Sequence, residues 1–322
     1  MDAQAHDKFP DPAGAPGSGP LTADDLRLIG AVLRARPGEI TGVSALKRGM
    51  TNRSFLFSCR GKQFIMRVPG AGTGRLISRR EEAAVYRAIR GIGLCEDVVY
   101  LEPDTGRKIS RFIEGARTCD PQNGRETAAC MKKLREFHRM GLRVEHEFDL
   151  FRHIDFYESL REGAPSAYPD YREVKENVFR LKPFLDAQAG EKTLTHIDAV
   201  PDNFLFFRND QGREEIRLID WEYAAMQDPH VDIAMFCIYA MYDRARIDRL
   251  IGQYFTEGCP ALTRVKIYGY IAACGLLWSN WCEYKRSLGV EFGAYSLAQY
   301  RYAKEYCETV RLELERLGEA LP

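Results

Sequence analysis

The stretch from Thr195 to Asp220 constrains the fold most, because it sets a polar knot directly before a hairpin. THIDAVPDNFLFF carries His196, Asp198 and Asn203 ahead of the apolar run Phe204–Phe207. A turn around Asn209 to Gly212 follows, then a second apolar run, Ile216–Ile219, which ends at Asp220. Antiparallel pairing sets the residue before the first run beside the residue after the second. Asn203 and Asp220 are therefore expected to meet at one end of the hairpin, with Asp198 in the loop just ahead.

The rest of the chain supplies the frame. Its 322 residues are enough for two lobes, each with its own core. Residues 1–20, rich in Pro, Gly and Ala, are expected to be a disordered tail. LTADDLRLIGAVLRA reads as a helix capped by Thr22, with Asp25 three residues on and Leu26, Ile29 and Leu33 on one apolar face. GMTNRSFLFSC and KQFIMRVPG read as strands, RREEAAVYRAI as a helix, and DVVYLEPDTGRKISRFIEG as two short strands about a turn at Asp104 to Gly106. These elements make an N-terminal lobe over 21–114, closed by a hinge near Ile113 to Gly115. From about Asn123 the composition turns helical, and residues 115–322 make the second lobe. GAGTG, residues 70–74, fits neither common nucleotide-loop pattern and reads as a connection between strand and helix.

Composition excludes several classes. Lys plus Arg balances Asp plus Glu, 46 against 46, so no global field draws nucleic acid or an anionic membrane. The nine cysteines are scattered and include no C-x-x-C pair, which suits a reducing cytosol better than a disulfide or zinc framework. The N-terminus lacks a basic start followed by an apolar run. Apolar-rich runs such as IAMFCIYAMY fall short of the ~20 residues a membrane span needs. The expectation is a soluble, cytoplasmic protein with a small-molecule substrate, no nucleic-acid partner and no membrane insertion.

Two facing oxygen ligands with a carboxylate nearby suit hard Mg²⁺ bridging the phosphates of ATP. Asn203 and Asp220 are the expected metal ligands. Asp198 precedes Asn203 by five residues, the spacing of the protein-kinase catalytic loop, and Asp220 stands where that family has the metal-binding aspartate of its D-F-G. His196 reads as a brace for the loop. A site of this kind also needs a cation on a strand and an acid on the next helix. Arg67 in FIMRVPG and Glu82 in SRREEAAVY fill those places. Thr51 and Asn52, in GMTNRSF, belong to a turn whose backbone N–H groups would cover the nucleotide phosphates.

GMTNRSFLF, RVPGAGTGRLISRREE, FDLFRHIDFYESL, THIDAVPDNFLF, LIDWEYAAMQDPHVDIA and LLWSNWCEYKRSLGVEFGAY together resemble a choline kinase of the bacterial type. That family sits within the choline/ethanolamine kinase and aminoglycoside phosphotransferase superfamily, and the likeness runs from about residue 45 to residue 300. The resemblance implies an α+β, two-lobed protein-kinase-like fold, with a small antiparallel β-sheet N-lobe and a larger, mainly helical C-lobe. It implies that Asp198 acts as base toward the acceptor hydroxyl, with Asn203 and Asp220 on magnesium. Arg67 and Glu82 would hold the phosphates, and backbone groups at Arg111 and Ile113 would pair with adenine. Ile197 and Ala199 depart from a more polar loop common in the family, and Ser78 stands where an Asp is common.

The acceptor pocket decides the substrate. Choline has no N–H to donate, so aromatic faces and nearby carboxylates must hold its cation. Trp278 and Trp281 lie three apart on one helix face. Two tryptophans at that spacing also suit ordinary core, but in choline kinases such a pair forms part of the choline box. Glu222, Tyr223 and either Tyr239 or Tyr242 would complete it. Lys285, one turn after Trp281, suits a cation box only if it points outward. The implied reaction moves the γ-phosphate of Mg·ATP to choline. Ethanolamine, an aminoglycoside or another amino alcohol are the alternative acceptors, and a silent nucleotide- or choline-binding protein is the non-enzymatic alternative.

Overall fold

The computed structural model describes residues 20–46, 52–70 and 73–321. The expected tail and Thr51 lie outside them, as does part of GAGTG. The described residues form two compact units: one built from 20–119 with Asp202–Ala224, the other from Asp120–Pro201 with 225–321.

The first unit is organised by a five-stranded antiparallel sheet in the order β1-β2-β3-β5-β4. Its strands are β1 (Ile40–Ala45), β2 (Asn52–Cys59), β3 (Lys62–Pro69), β4 (Val98–Leu101) and β5 (Lys108–Arg111). Period-two alternation puts Phe55, Phe57 and Cys59 of β2 on one face, with Phe64 and Met66 of β3 and Ile109 of β5. Helix α1 (Ala23–Leu33) closes this core with Ile29. Thr22 caps it as expected: its hydroxyl accepts from the Asp25 N–H at 3.1 Å, and its own N–H donates to the Asp25 carboxylate at 2.9 Å. Leu26 is exposed, because the inward stripe runs through Leu28, Ile29, Val32 and Leu33 and leaves it at the edge.

On the other face of the sheet Arg67 and Lys108 are cross-strand partners. Like charges directly opposite repel, so each needs a carboxylate of its own. Helix α2 (Arg79–Ala88), which Ser78 caps, and the segment after it supply both. The hairpin belongs to this unit: β6 (Arg117–Thr118), β8 (Phe204–Arg208) and β9 (Glu214–Leu218) pair in the order β6-β8-β9. Its turn closes through the Gly212 N–H on the Asn209 carbonyl at 2.8 Å.

The second unit is mainly helical: α3 (Gly124–Arg139), α4 (Leu150–Ser159), α5 (Tyr171–Arg180), α6 (Lys182–Gln188), α7 (His230–Tyr239), α8 (Arg244–Tyr254), α9 (Ala261–Ser287) and α10 (Ala294–Leu317). A short ladder of β7 (Thr193–Thr195) and β10 (Ala225–Gln227) completes it. The helical stretch around 171–188 is divided at Pro183, which lacks an N–H to continue the ladder. Helix α9 is buried on every side from Val265 to Lys285, and of its buried charges Lys266 is paired with Asp228 and Glu283 with Arg161. Helices α4, α5, α6, α7 and α10 surround it. Among the described residues no helix is long and apolar enough to cross a membrane.

Helices α9 and α10 approach closely at Gly275, where a Cβ would lie 2.7 Å from the Gln299 carbonyl and 2.9 Å from the Tyr302 Cβ. Backbone cannot yield as a side chain can, so Gly275→Ala should cost about 1–3 kcal/mol through overpacking. A urea unfolding midpoint equal to that of the unmodified protein would contradict the packing described.

Candidate active site

Arg67 on β3 and Glu82 on α2 form a bidentate fork, with Nη1–Oε1 at 2.5 Å and Nη2–Oε2 at 2.9 Å. Both are buried, and Arg67 Nη2 also donates to the Gly106 carbonyl at 2.9 Å. Burial works to raise the Glu82 carboxyl, but Arg67 beside it prevails and holds it below the usual carboxylate range. A fork of this shape fixes the guanidinium plane as a lysine could not.

A second arginine, which the sequence reading passes over, extends the fork into a network. Arg79, in the first turn of α2, reaches Glu82 Oε2 and Glu222 Oε2, both at 2.9 Å. It donates to Asn52 Oδ1 at 3.2 Å, and the Asn52 amide donates to Glu222 Oε2 at 2.8 Å. Asn52 and Glu222, read as nucleotide- and acceptor-binding residues, are thus joined through one guanidinium. Gly106 makes room for it, since a Cβ there would collide with the Arg79 side-chain stem. Arg80 differs from its neighbour only in direction, and pairs on the surface with Asp104. The sequence RREE signals charge at both positions without saying which one turns inward.

The hairpin register differs by one residue from the expected one. Strand β9 ends at Leu218, opposite Phe204, and the Asn203 carbonyl accepts from the Ile219 N–H at 3.0 Å. Asp220 is therefore one step beyond the residue facing Asn203, and its left-handed backbone (φ 65°) turns it off the strand. Arg67 Nη1 lies 3.7 Å from Asp220 Oδ1. Burial, then the charge of Glu222, push the Asp220 carboxyl up to about 7, so an added cation would be welcome here. Asn203 and Asp220 offer hard oxygen donors that fit Mg²⁺, an ion that completes its shell with water and phosphate oxygens rather than a protein cage. Among the described residues no group of three or more His, Cys, Asp and Glu forms such a cage.

In the helical unit, the loop bearing Asp198 is clamped from beneath. Asp232 on α7 is fully buried and accepts from the His196 N–H at 3.0 Å and the Ile197 N–H at 2.8 Å. His138 Nε2 is 2.9 Å from the same carboxylate, with His138 Nδ1 2.8 Å from the Tyr254 hydroxyl. The clamp holds Ile197 at φ 66°, where a β-branched side chain costs about 1–3 kcal/mol. Within Thr193–Pro201 every residue is buried except Asp198. His196 is fully buried, which suits a brace.

The aromatic candidates of this unit divide. Trp278 and Trp281 meet edge to face at 5.4 Å, Trp281 meets Phe292 at 5.3 Å, Phe292 meets Tyr295 at 6.5 Å, and Tyr295 meets Tyr239 at 6.1 Å. Phe292 and Tyr295, which the sequence reading did not single out, join Tyr239 to the tryptophans. Tyr242 is turned to packing: its ring lies 6.2 Å from Phe236 and its hydroxyl donates to the Pro121 carbonyl. Lys285 does not point outward; it is buried, with Nζ 5.5 Å from the Trp281 ring centre. Tyr223 is half-buried beside Glu222 in the sheet unit. Arg111 ends β5, its N–H on the Asp97 carbonyl at 2.9 Å, and the Ile113 carbonyl accepts from Ala116 at 3.3 Å.

Phosphoryl transfer asks for charge held in place and one group to take a proton, and for little else. Residues 42–268 match the phosphotransferase enzyme family, and the chain belongs to it. Its fold is the α+β kinase-like fold, and it is a phosphotransferase. Protein LicA of Haemophilus influenzae is 27% identical over 277 residues, covering 77% of this chain and 75% of that one. The crystal structure of choline kinase LicA from Streptococcus pneumoniae superposes with a TM-score of 0.74 at 29% identity, covering 88% of this chain and 97% of that one. LicA in complex with AMP superposes with a TM-score of 0.72 at 29% identity, covering 84% and 92%.

The adjacent arginines give a paired test. Arg79→Ala strands Glu82 and Glu222 without their shared cation and should cost about 3–5 kcal/mol, whereas Arg80→Ala should leave the unfolding midpoint nearly unchanged. Equal effects in denaturant unfolding would show that Arg79 carries no special load.

Proposed function

We propose that this phosphotransferase moves the γ-phosphate of Mg·ATP to the hydroxyl of choline, giving phosphocholine and ADP. The run of rings from Trp278 through Trp281, Phe292 and Tyr295 to Tyr239 carries the choice of acceptor. Aromatic faces attract a quaternary ammonium that no hydrogen bond can hold. Likeness to the choline kinase LicA supports the same acceptor.

In this reading Asp198, the accessible residue of a buried loop, takes the proton of the acceptor hydroxyl. The freed oxygen bonds to the γ-phosphorus as the bond to the ADP oxygen breaks. Arg67, held by Glu82, would lie against the charge that builds on the phosphates, with Asn52 at the start of β2 on the same nucleotide. Asn203 and Asp220 would hold Mg²⁺, which supplies charge neutralisation across the phosphates. Adenine would pair with backbone at Arg111 and Ile113. We place the protein in the cytoplasm, where ATP is plentiful; its nine free thiols suit a reducing compartment.

One observation favours a second reading. The buried Lys285 ammonium already lies over Trp281, which weakens that ring as a seat for a permanent cation. A smaller amino alcohol such as ethanolamine, held by hydrogen bonds, is the acceptor that this observation supports.

Asp198→Ala should lower kcat by about 10²–10⁴-fold while Mg·ATP still binds. Retained turnover would remove Asp198 from the mechanism. Trp281→Ala should raise the KM for choline by about tenfold and leave that for ATP nearly unchanged. A matched rise in both would assign Trp281 to core packing.

A further inference from the structure

Beside α2 the sheet unit holds a cavity of about 480 Å³ that the transfer chemistry does not use. Its volume is in the range of small-molecule sites. Ile89 of α2 and Val98 and Leu101 of β4 give it an apolar wall. Glu96 lies at its base and Arg87 and Arg90 at its rim.

The charges at the two ends differ in kind. Glu96 Oε1 is engaged by the Lys108 ammonium and by the Tyr86 hydroxyl, the latter at 3.1 Å. Its Oε2 is buried and, among the described residues, has no hydrogen-bond donor. Glu96 lines the cavity, so its unsatisfied oxygen is the acceptor available there. At the rim, Arg217 is already paired with Glu215 at 2.6 Å, and Asp97 with Arg111 at 2.6 Å. Arg87 and Arg90 are exposed and, among the described residues, form no ion pair. The cavity thus offers an acceptor at one end, apolar surface between, and two uncommitted guanidinium groups at the other.

We infer that this cavity is a second ligand site, for a nucleoside monophosphate. A base edge bearing N–H donors satisfies Glu96 Oε2, the ring system lies along the aliphatic wall, and the phosphate meets Arg87 and Arg90. The occupant acts as an effector, because α2 carries both the cavity wall and Glu82. Tyr86 of the base follows Glu82 by one turn, and Lys108 is the cross-strand partner of Arg67. A ligand that changes how α2 sits changes the fork, and the coupling runs equally in both directions.

The test is calorimetric titration of guanosine monophosphate into the full-length protein saturated with Mg²⁺ and a non-hydrolysable ATP analogue. One equivalent should bind, and Arg87→Ala/Arg90→Ala should weaken it at least tenfold with an unchanged unfolding midpoint and unchanged affinity for the ATP analogue. Loss in the double variant assigns the binding to this cavity whether or not ATP is the phosphoryl donor. Absence of binding at millimolar nucleotide, equal binding by the variant, or inorganic phosphate binding as tightly as the nucleotide would each overturn the inference.

Discussion

A guanidinium taken out of water must be met by carboxylates where it lies, and Arg67 and Arg79 impose that demand on the sheet unit. Glu82 answers both, Glu222 answers Arg79, and Asp220 stands 3.7 Å from Arg67. Two positive groups therefore face three negative ones, and the excess negative charge falls at Asp220. The surplus is carried at the residue whose carboxyl is pushed up to about 7 by burial and by Glu222. Much of the local architecture follows from keeping these groups together: glycine at position 106, cation next to cation across β3 and β5, and a helix start at Arg79.

The helical unit solves a different problem with one buried carboxylate. Asp232 takes two backbone N–H groups and a histidine, and so holds a loop whose Ile197 backbone is strained. Strain of this kind persists only where the surroundings over-determine it. The consequence is that a run of buried residues presents a single accessible carboxylate, Asp198. Positioning here is mechanical, and it precedes any contact with substrate.

What could be read in the sequence was whatever spacing fixes. The cap at Thr22 and four of the five sheet strands follow from alternation and turn chemistry, the placing of Arg67 and Glu82 from the needs of a kinase-like site, and the α+β class from the family resemblance; β1 (Ile40–Ala45) was missed. The hairpin was legible to within one residue, because the apolar character of Ile219 hides that pairing ends at Leu218. Direction was not legible. Arg79 and Arg80 are identical in sequence terms, yet one is buried in the network and the other salt-bridged at the surface. Tyr239 and Tyr242 present the same ambiguity, settled only by the carbonyl of Pro121 and the ring of Tyr295. Phe292 and Tyr295 were hidden for another reason: they follow the glycine-bearing turn after α9, where helical spacing gives no guide. The condition set on Lys285, that it point outward, is not met: a buried lysine is the exception, and cation–π contact with Trp281 accommodates it here.

The most direct measurement follows the phosphorus itself. ³¹P NMR of the protein with Mg·ATP and choline should show the γ-phosphate resonance replaced by a phosphomonoester signal that coincides with phosphocholine and requires choline. Inorganic phosphate as the sole new product, or a phosphomonoester that forms only with ethanolamine or another acceptor, would contradict transfer to choline.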